Sequence, residues 1–211
     1  YTSYCLEDKC VAAGEVGSHY DDYHRLPLII FSIDKGKTWD KSTIKDINSD
    51  DRGVVNAVNC LTVDKCMAAG SVILADKKKK QLIMLTSRDG GRYWQPNYNI
   101  TNLPSSMIAS TVNAIICHNK SCLASGNYET SDNSRLPMIL KSNNGGDNWQ
   151  FISSIKNFPD DYHNTSLNRL SCNNNDCVIS GINNASLLTI VSHDKGTSWS
   201  YLQENIFPQF M

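Results

Sequence analysis

The sequence predicts an all-β fold made of four consecutive copies of one unit, and three observations carry that prediction. An eight-residue string ending in Trp recurs four times. It holds all four tryptophans of the 211-residue chain, spaced 55, 55 and 50 residues apart. A close cysteine pair precedes each string, and the four pairs account for all eight cysteines. No stretch shows the i, i+3, i+4 apolar spacing of a helix over a useful length.

The strings read Ser32-Ile33-Asp34-Lys35-Gly36-Lys37-Thr38-Trp39, Ser87-Arg88-Asp89-Gly90-Gly91-Arg92-Tyr93-Trp94, Ser142-Asn143-Asn144-Gly145-Gly146-Asp147-Asn148-Trp149 and Ser192-His193-Asp194-Lys195-Gly196-Thr197-Ser198-Trp199. The pairs are Cys5/Cys10, Cys60/Cys66, Cys117/Cys122 and Cys172/Cys177. Each is followed by a small-residue tract ending in Gly: Val11 to Gly14, Met67 to Gly70, Leu123 to Gly126 and Val178 to Gly181. Strand a therefore leads into the first Cys, as in Val54 to Cys60, Val112 to Cys117 and Leu167 to Cys172. Strand b is the small tract. Strand c is the most apolar segment, at Leu28 to Phe31, Leu82 to Leu85, Met138 to Leu140 and Leu187 to Val191. Strand d begins near the Trp. Four strands in a repeat of about 50 residues is the arithmetic of a β-propeller blade. One propeller domain over 1–211 is expected, with repeats near 1–53, 54–110, 111–165 and 166–211.

The strings have a local physical logic. A short carboxylate or amide accepts hydrogen bonds from nearby turn amides. Gly supplies positive φ without steric cost. A Trp should plug the gap between structural layers, burying roughly 150–250 Å². The pattern resembles the Asp-box, a c–d hairpin motif of sialidases, sortilin-type receptors and photosystem-assembly propellers. The resemblance rests on Ser32, Asp34, Gly36 and Trp39; Ser87, Asp89, Gly91 and Trp94; Ser142, Gly146 and Trp149; and Ser192, Asp194, Gly196 and Trp199. The third copy departs from it with Asn144. The motif implies folding and marks no active site.

Four or five residues between paired cysteines suit a disulfide across the a–b hairpin, giving Cys5–Cys10, Cys60–Cys66, Cys117–Cys122 and Cys172–Cys177. Zinc sites gather two tighter pairs at one ion, which pairs distributed one per repeat do not provide. Disulfides place the protein in an oxidising compartment: secreted, periplasmic or cell-surface. The chain starts at Tyr1, which implies processing or trimming. Hydrophobic residues make up 40 % and charged residues 19 %, enough for a core, and the net charge is −1. That balance gives no field to recruit nucleic acid. No apolar run approaches the ~20 residues of a transmembrane helix.

Function should sit where the repeats differ. The a–b and c–d turns share one face of a propeller, so the variable b–c and d–a segments belong to the other. The first b–c loop carries His19-Tyr20-Asp21-Asp22-Tyr23-His24, and the last d–a connection carries Asp160-Asp161-Tyr162-His163. In a closed four-blade ring these segments would be neighbours. His and Asp can ligate a metal, and Tyr, Asp and His also suit protein or sugar contacts. The expectation is a protein or glycan contact with no resident metal and no cofactor. Lys77-Lys78-Lys79-Lys80 in the second b–c loop is a solvated tip or a dock for an anionic partner.

Catalysis is not expected. Sialidase-type chemistry needs an arginine cluster, a Tyr nucleophile with its Glu base, and an acidic proton donor. The six arginines are Arg25, Arg52, Arg88, Arg92, Arg135 and Arg169. Arg88 and Arg92 belong to a string on the opposite face. Sialidase propellers have six blades, whereas this chain supplies four repeats. The expected role is an extracytoplasmic binding or scaffolding module. The alternatives are a glycan-processing hydrolase or its degenerate relative, and a structural subunit of a surface or secretion assembly. Four blades closing alone, a larger chain and an oligomer all stay open.

Overall fold

The computed structural model describes residues 2–17, 25–75, 79–184 and 186–202. These residues form four antiparallel sheets in chain order. The first holds β1 (Thr2–Leu6), β2 (Lys9–Val16), β3 (Leu26–Ser32) and β4 (Asp40–Lys41). The second holds β5 (Thr43–Ile44), β6 (Arg52–Cys60), β7 (Cys66–Ile73), β8 (Lys80–Ser87) and β9 (Tyr93–Pro96). The third holds β10 (Ile100–Thr101), β11 (Met107–His118), β12 (Ser121–Thr130), β13 (Arg135–Ser142) and β14 (Trp149–Phe151). The fourth holds β15 (Thr165–Asn173), β16 (Asp176–Asn183), β17 (Ser186–Ser192) and β18 (Ser200–Tyr201). Strands β5 and β10 are connecting segments that pair in parallel with the outer strands β9 and β14. Thr43 and Ile44 thus join the sheet that follows them rather than the repeat that precedes them.

In every sheet the two cysteines stand directly opposite each other across the first hairpin and are bonded. Their Cα atoms lie 4.1, 3.9, 4.1 and 4.1 Å apart. The glycine that closes the small tract has a second, less obvious cause. Register shifts fall between Val55 and Ala57, Val112 and Ala114, and Leu167 and Arg169, so Asn56, Asn113 and Asn168 are bulged out of the inner strands. The bulge drives a carbonyl against the next strand. A Cβ at Gly70, Gly126 or Gly181 would strike the carbonyl oxygen of Val54, Thr111 or Ser166. The bulged asparagines also tie sheet to sheet. Asn56 Nδ2 donates to Val112 O (3.0 Å), and Asn113 Nδ2 donates to Leu167 O (2.9 Å).

The apolar core is divided into three, one portion between each consecutive pair of sheets. Val11 and Ile29 meet Val55, Val58 and Trp94. Met67 and Met84 meet Val112, Leu140 and Trp149. Leu123 and Ile139 meet Leu167, Ile179 and Trp199. Each Trp is therefore buried by the sheet before its own. Trp39 has no such sheet: it is 39 % exposed, whereas Trp94, Trp149 and Trp199 are 0–2 % exposed. Among the described residues, no strand of the first sheet packs extensively on a strand of the fourth. The four sheets form an open arc.

Candidate functional site

Two ends of the arc differ in kind. At one end, each Trp-containing string bonds to the first hairpin turn of its own sheet. Lys35 N donates to Asp8 O, Gly90 N to Asp64 O, Gly145 N to Lys120 O and Lys195 N to Asn175 O, at 2.7–2.9 Å. The string's polar atoms are engaged internally. Ser Oγ donates to the Asp34, Asp89, Asn144 or Asp194 side-chain oxygen (2.7–2.9 Å) and accepts the Gly36, Gly91, Gly146 or Gly196 N–H (2.9 Å each). The Trp indole N–H returns to that glycine's carbonyl at 2.8–3.1 Å. Asn144 fills its place because Oδ1 supplies the same acceptor, taking the Asn148 N–H at 2.9 Å. The Thr38 hydroxyl, then the Thr38 N–H and Ser32, hold the Asp34 carboxyl down to about 2. Ser198 holds Asp194 well below the ordinary carboxylate range in the same way. These carboxylates stay ionised and hydrogen-bonded, which suits a turn and does not suit a general acid.

The opposite end carries the b–c and d–a segments. The contacts there run between connections: Ala75 N donates to Asp51 Oδ1 (3.0 Å), Arg135 N to His163 O (2.7 Å) and Gly53 N to Arg25 O (2.7 Å). Residues His19 to His24, with Lys77 and Lys78, lie outside the described residues. Asp160, Asp161 and His163 are exposed on the connection into the fourth sheet. Tyr162 is half-buried instead. Its ring packs edge-on against Phe158 and Tyr201, and its hydroxyl shares a 3.0 Å hydrogen bond with the Tyr201 hydroxyl. Asp160 to His163 sit on the connection into β15, and the first b–c loop expected beside them lies outside the described residues. No three His, Cys, Asp or Glu side chains gather there as a metal-holding group among those residues.

Lys79 and Lys80 are exposed, and Lys80 stands between two grooves. The first groove, about 370 Å³, runs between the second and third sheets. Leu82, Tyr98, Ile100, Leu103, Met107 and Ile108 line it. Three of these are conspicuous for their exposure: Tyr98 at 78 %, Ile108 at 42 % and Leu103 at 38 %. Asp46, Lys80 and Gln81 also line it, and two further polar side chains of the lining are engaged. Ser110 Oγ accepts the Leu82 N–H (3.0 Å), and Asn97 Nδ2 donates to Gly146 O and Asp147 O (2.7 and 3.1 Å). The groove thus joins this apolar stretch to the polar side chains of Asp46, Lys80 and Gln81.

None of these apolar residues stands out by repeat pattern, because they come from three separate segments that differ between repeats. The sequence signal is a short apolar-polar alternation, Tyr98-Asn99-Ile100-Thr101, in a connecting segment that ends at Leu103.

The second groove, about 310 Å³, sits between the first and second sheets and includes Glu15, Arg25, Arg52 and Lys80. The other arginines are dispersed. Arg88 pairs with Asp147 (2.7 Å), Arg92 lies over the Phe31 ring (5.6 Å), Arg135 pairs with Glu129 (3.1 Å) and Arg169 donates to Asn168 O (3.0 Å). No third arginine joins Arg25 and Arg52.

No known family profile matches the chain, and no curated protein sequence matches it. Solved structures do. A Hadza microbial sialidase superposes with a TM-score of 0.68 at 13 % identity, covering 92 % of this chain and 44 % of that one. Trypanosoma rangeli sialidase, in complex with the inhibitor DANA, gives 0.69 at 14 %, covering 95 % and 37 %. A protein of unknown function from Dyadobacter fermentans gives 0.62 at 17 %, covering 93 % and 65 %. The chain thus spans less than two thirds of the length of each. At these identities the likeness establishes the fold: the chain is similar to β-propellers, and it is all-β with four sheets and four disulfides.

Proposed function

We propose that the four sheets are blades of an extracytoplasmic propeller arc that binds a partner protein through its b–c/d–a end. An apolar segment of the partner would seat in the trough between the second and third blades. The observation that carries this reading is the trough itself: Tyr98, Leu103 and Ile108 are exposed together along one groove. Contiguous exposed apolar surface rimmed by polar residues is characteristic of interaction sites, and a flexible Met with an aromatic suits a peptide anchor. The disulfides support an oxidising compartment. No helix among the described residues is long and apolar enough to cross a membrane.

A second reading has its own observation. Arg25 and Arg52 share a groove with Glu15, which accepts a hydrogen bond from Arg25 Nη1 (2.5 Å), and sialidase structures superpose on the chain. Two arginines and a carboxylate without a tyrosine among the lining residues fit recognition of an acidic glycan better than its hydrolysis.

A displayed random-peptide library and a glycan array, each screened with the intact chain, decide between them. The proposal expects peptide ligands with aromatic or aliphatic anchors, weakened at least tenfold by Tyr98→Ser or Ile108→Asp and unaffected by Arg52→Ala. Binding only to acidic glycans, abolished by Arg52→Ala, would replace the protein reading with the glycan one. Release of sialic acid from a fluorogenic sialoside would overturn both as non-catalytic accounts.

A further inference from the structure

The two ends of the arc are built as the two halves of one junction. At each internal junction, the string of one blade presses its glycine turn onto the residue that follows the second Cys of the blade before. A Cβ at Gly91 would lie 2.6 Å from Val11, one at Gly146 2.8 Å from Met67, and one at Gly196 2.5 Å from Leu123. The equivalent residue of the fourth blade is Val178, on which no string packs among the described residues: it is 44 % exposed, as is Ile182 two pleats along. Strands β7 and β12 are buried along both faces, whereas β16 alternates between buried and exposed. Conversely, a Cβ at Gly36 meets only its own Trp39, and that Trp is exposed.

Charge adds a match at one junction, for the corresponding positions are Lys9 and Arg92 at the first and Ser121 and Thr197 at the third. At the second junction, Lys65, the residue before Cys66, pairs with Asp147, the residue after Gly146, at 3.0 Å. At the arc's ends the same two positions are Asp176, before Cys177, and Lys37, after Gly36. The pair is preserved with its signs reversed. Asp176 now holds only an exposed 2.7 Å contact with His193, while the neighbouring Lys35 is paired within its own sheet to Asp8 (3.1 Å).

We propose that a second copy of this chain docks head to tail: the open face of blade four, centred on Val178 and Ile182, receives the Ser32–Trp39 string of the next copy. Trp39 then takes the buried position that its three counterparts hold internally, and Lys37 pairs with Asp176 across the contact. The interface is heterologous, so the copies either close on each other or continue into a longer series. Docking is independent of the trough described above and leaves it open.

Sedimentation velocity over a concentration series of the intact chain tests this. The expected result is association beyond the monomer. It should be suppressed at least tenfold by Val178→Asp, a substitution at an exposed strand position that leaves the circular dichroism unchanged. Asp176→Lys should weaken it, and Asp176→Lys combined with Lys37→Asp in the same chain should restore it. A monomer from micromolar to near-millimolar concentration overturns the proposal, and so does association indifferent to Val178→Asp or not recovered by the charge swap.

Discussion

Trp39 and Trp149 occupy the same place in the same string, and the comparison separates what a motif does from what its neighbours do. Both indoles donate to the glycine three residues back at 3.0 Å, and both serines cap their turns at 2.9 Å. Yet Trp149 is 2 % exposed and Trp39 is 39 % exposed. The string folds itself through contacts within eight residues. Burial of its Trp is supplied from outside, by the sheet before it, and the first string lacks that sheet.

The largest test of this contrast is truncation. Trp149→Ala removes a ring packed between two sheets and should cost about 3–5 kcal/mol in chemical unfolding. Trp39→Ala removes a ring with one side in solvent and should cost about 1.5 kcal/mol or less at concentrations where the chain is monomeric. Equal losses would show that the first Trp is buried after all. Gly126→Ala comes next, because the added Cβ must displace the Thr111 carbonyl at the bulge. A loss of about 3 kcal/mol is expected from such overpacking. At Gly36 an added Cβ would make only ordinary contact with Trp39, so the cost of Ala comes from positive φ and should be about 1–2 kcal/mol.

Replacing Cys117 and Cys122 by serine opens a loop of only five residues' separation. Chain entropy then predicts a loss of about 2 kcal/mol, with the other hairpins intact. The smallest effect is electrostatic. Asp34 is held at about 2, below its ordinary value. Its contribution is therefore present above the unfolded carboxylate range near 4 and fades as pH falls toward 2. Asn144, its counterpart in the third string, cannot titrate. Asp34→Asn should accordingly flatten the acid limb of the stability profile between about pH 4 and 2. An unchanged limb would mean that the Thr38 and Ser32 bonds persist with the protonated acid.

Local features were legible in the sequence because they are closed by local contacts. The all-β class, the paired cysteines and the self-bonded strings each depend on residues within a hairpin. The small tract ending in glycine was visible, but its cause was not: Gly70, Gly126 and Gly181 face a bulge whose position depends on pairing register. The trough was not visible either, since Leu82, Tyr98 and Ile108 meet only after two sheets are packed. The expected approach of Asp160–His163 to the first b–c loop assumed a closed ring, and that loop lies outside the described residues. Closure is set by the angle between sheets, which no single residue encodes. Tyr162 shows the same limit on a smaller scale, because a loop tyrosine turned out to be part of an aromatic cluster with Phe158 and Tyr201.

The central claim is that the arc is open at Trp39. Fluorine NMR of protein labelled with 5-fluorotryptophan tests it most directly, with Trp39→Phe assigning the first resonance and a soluble paramagnetic agent reporting solvent access. In dilute solution, one resonance, lost in Trp39→Phe, should broaden strongly while the other three are protected. Four equally protected resonances under those conditions would mean that the first and fourth sheets close on each other, contradicting the open arc and everything derived from its ends.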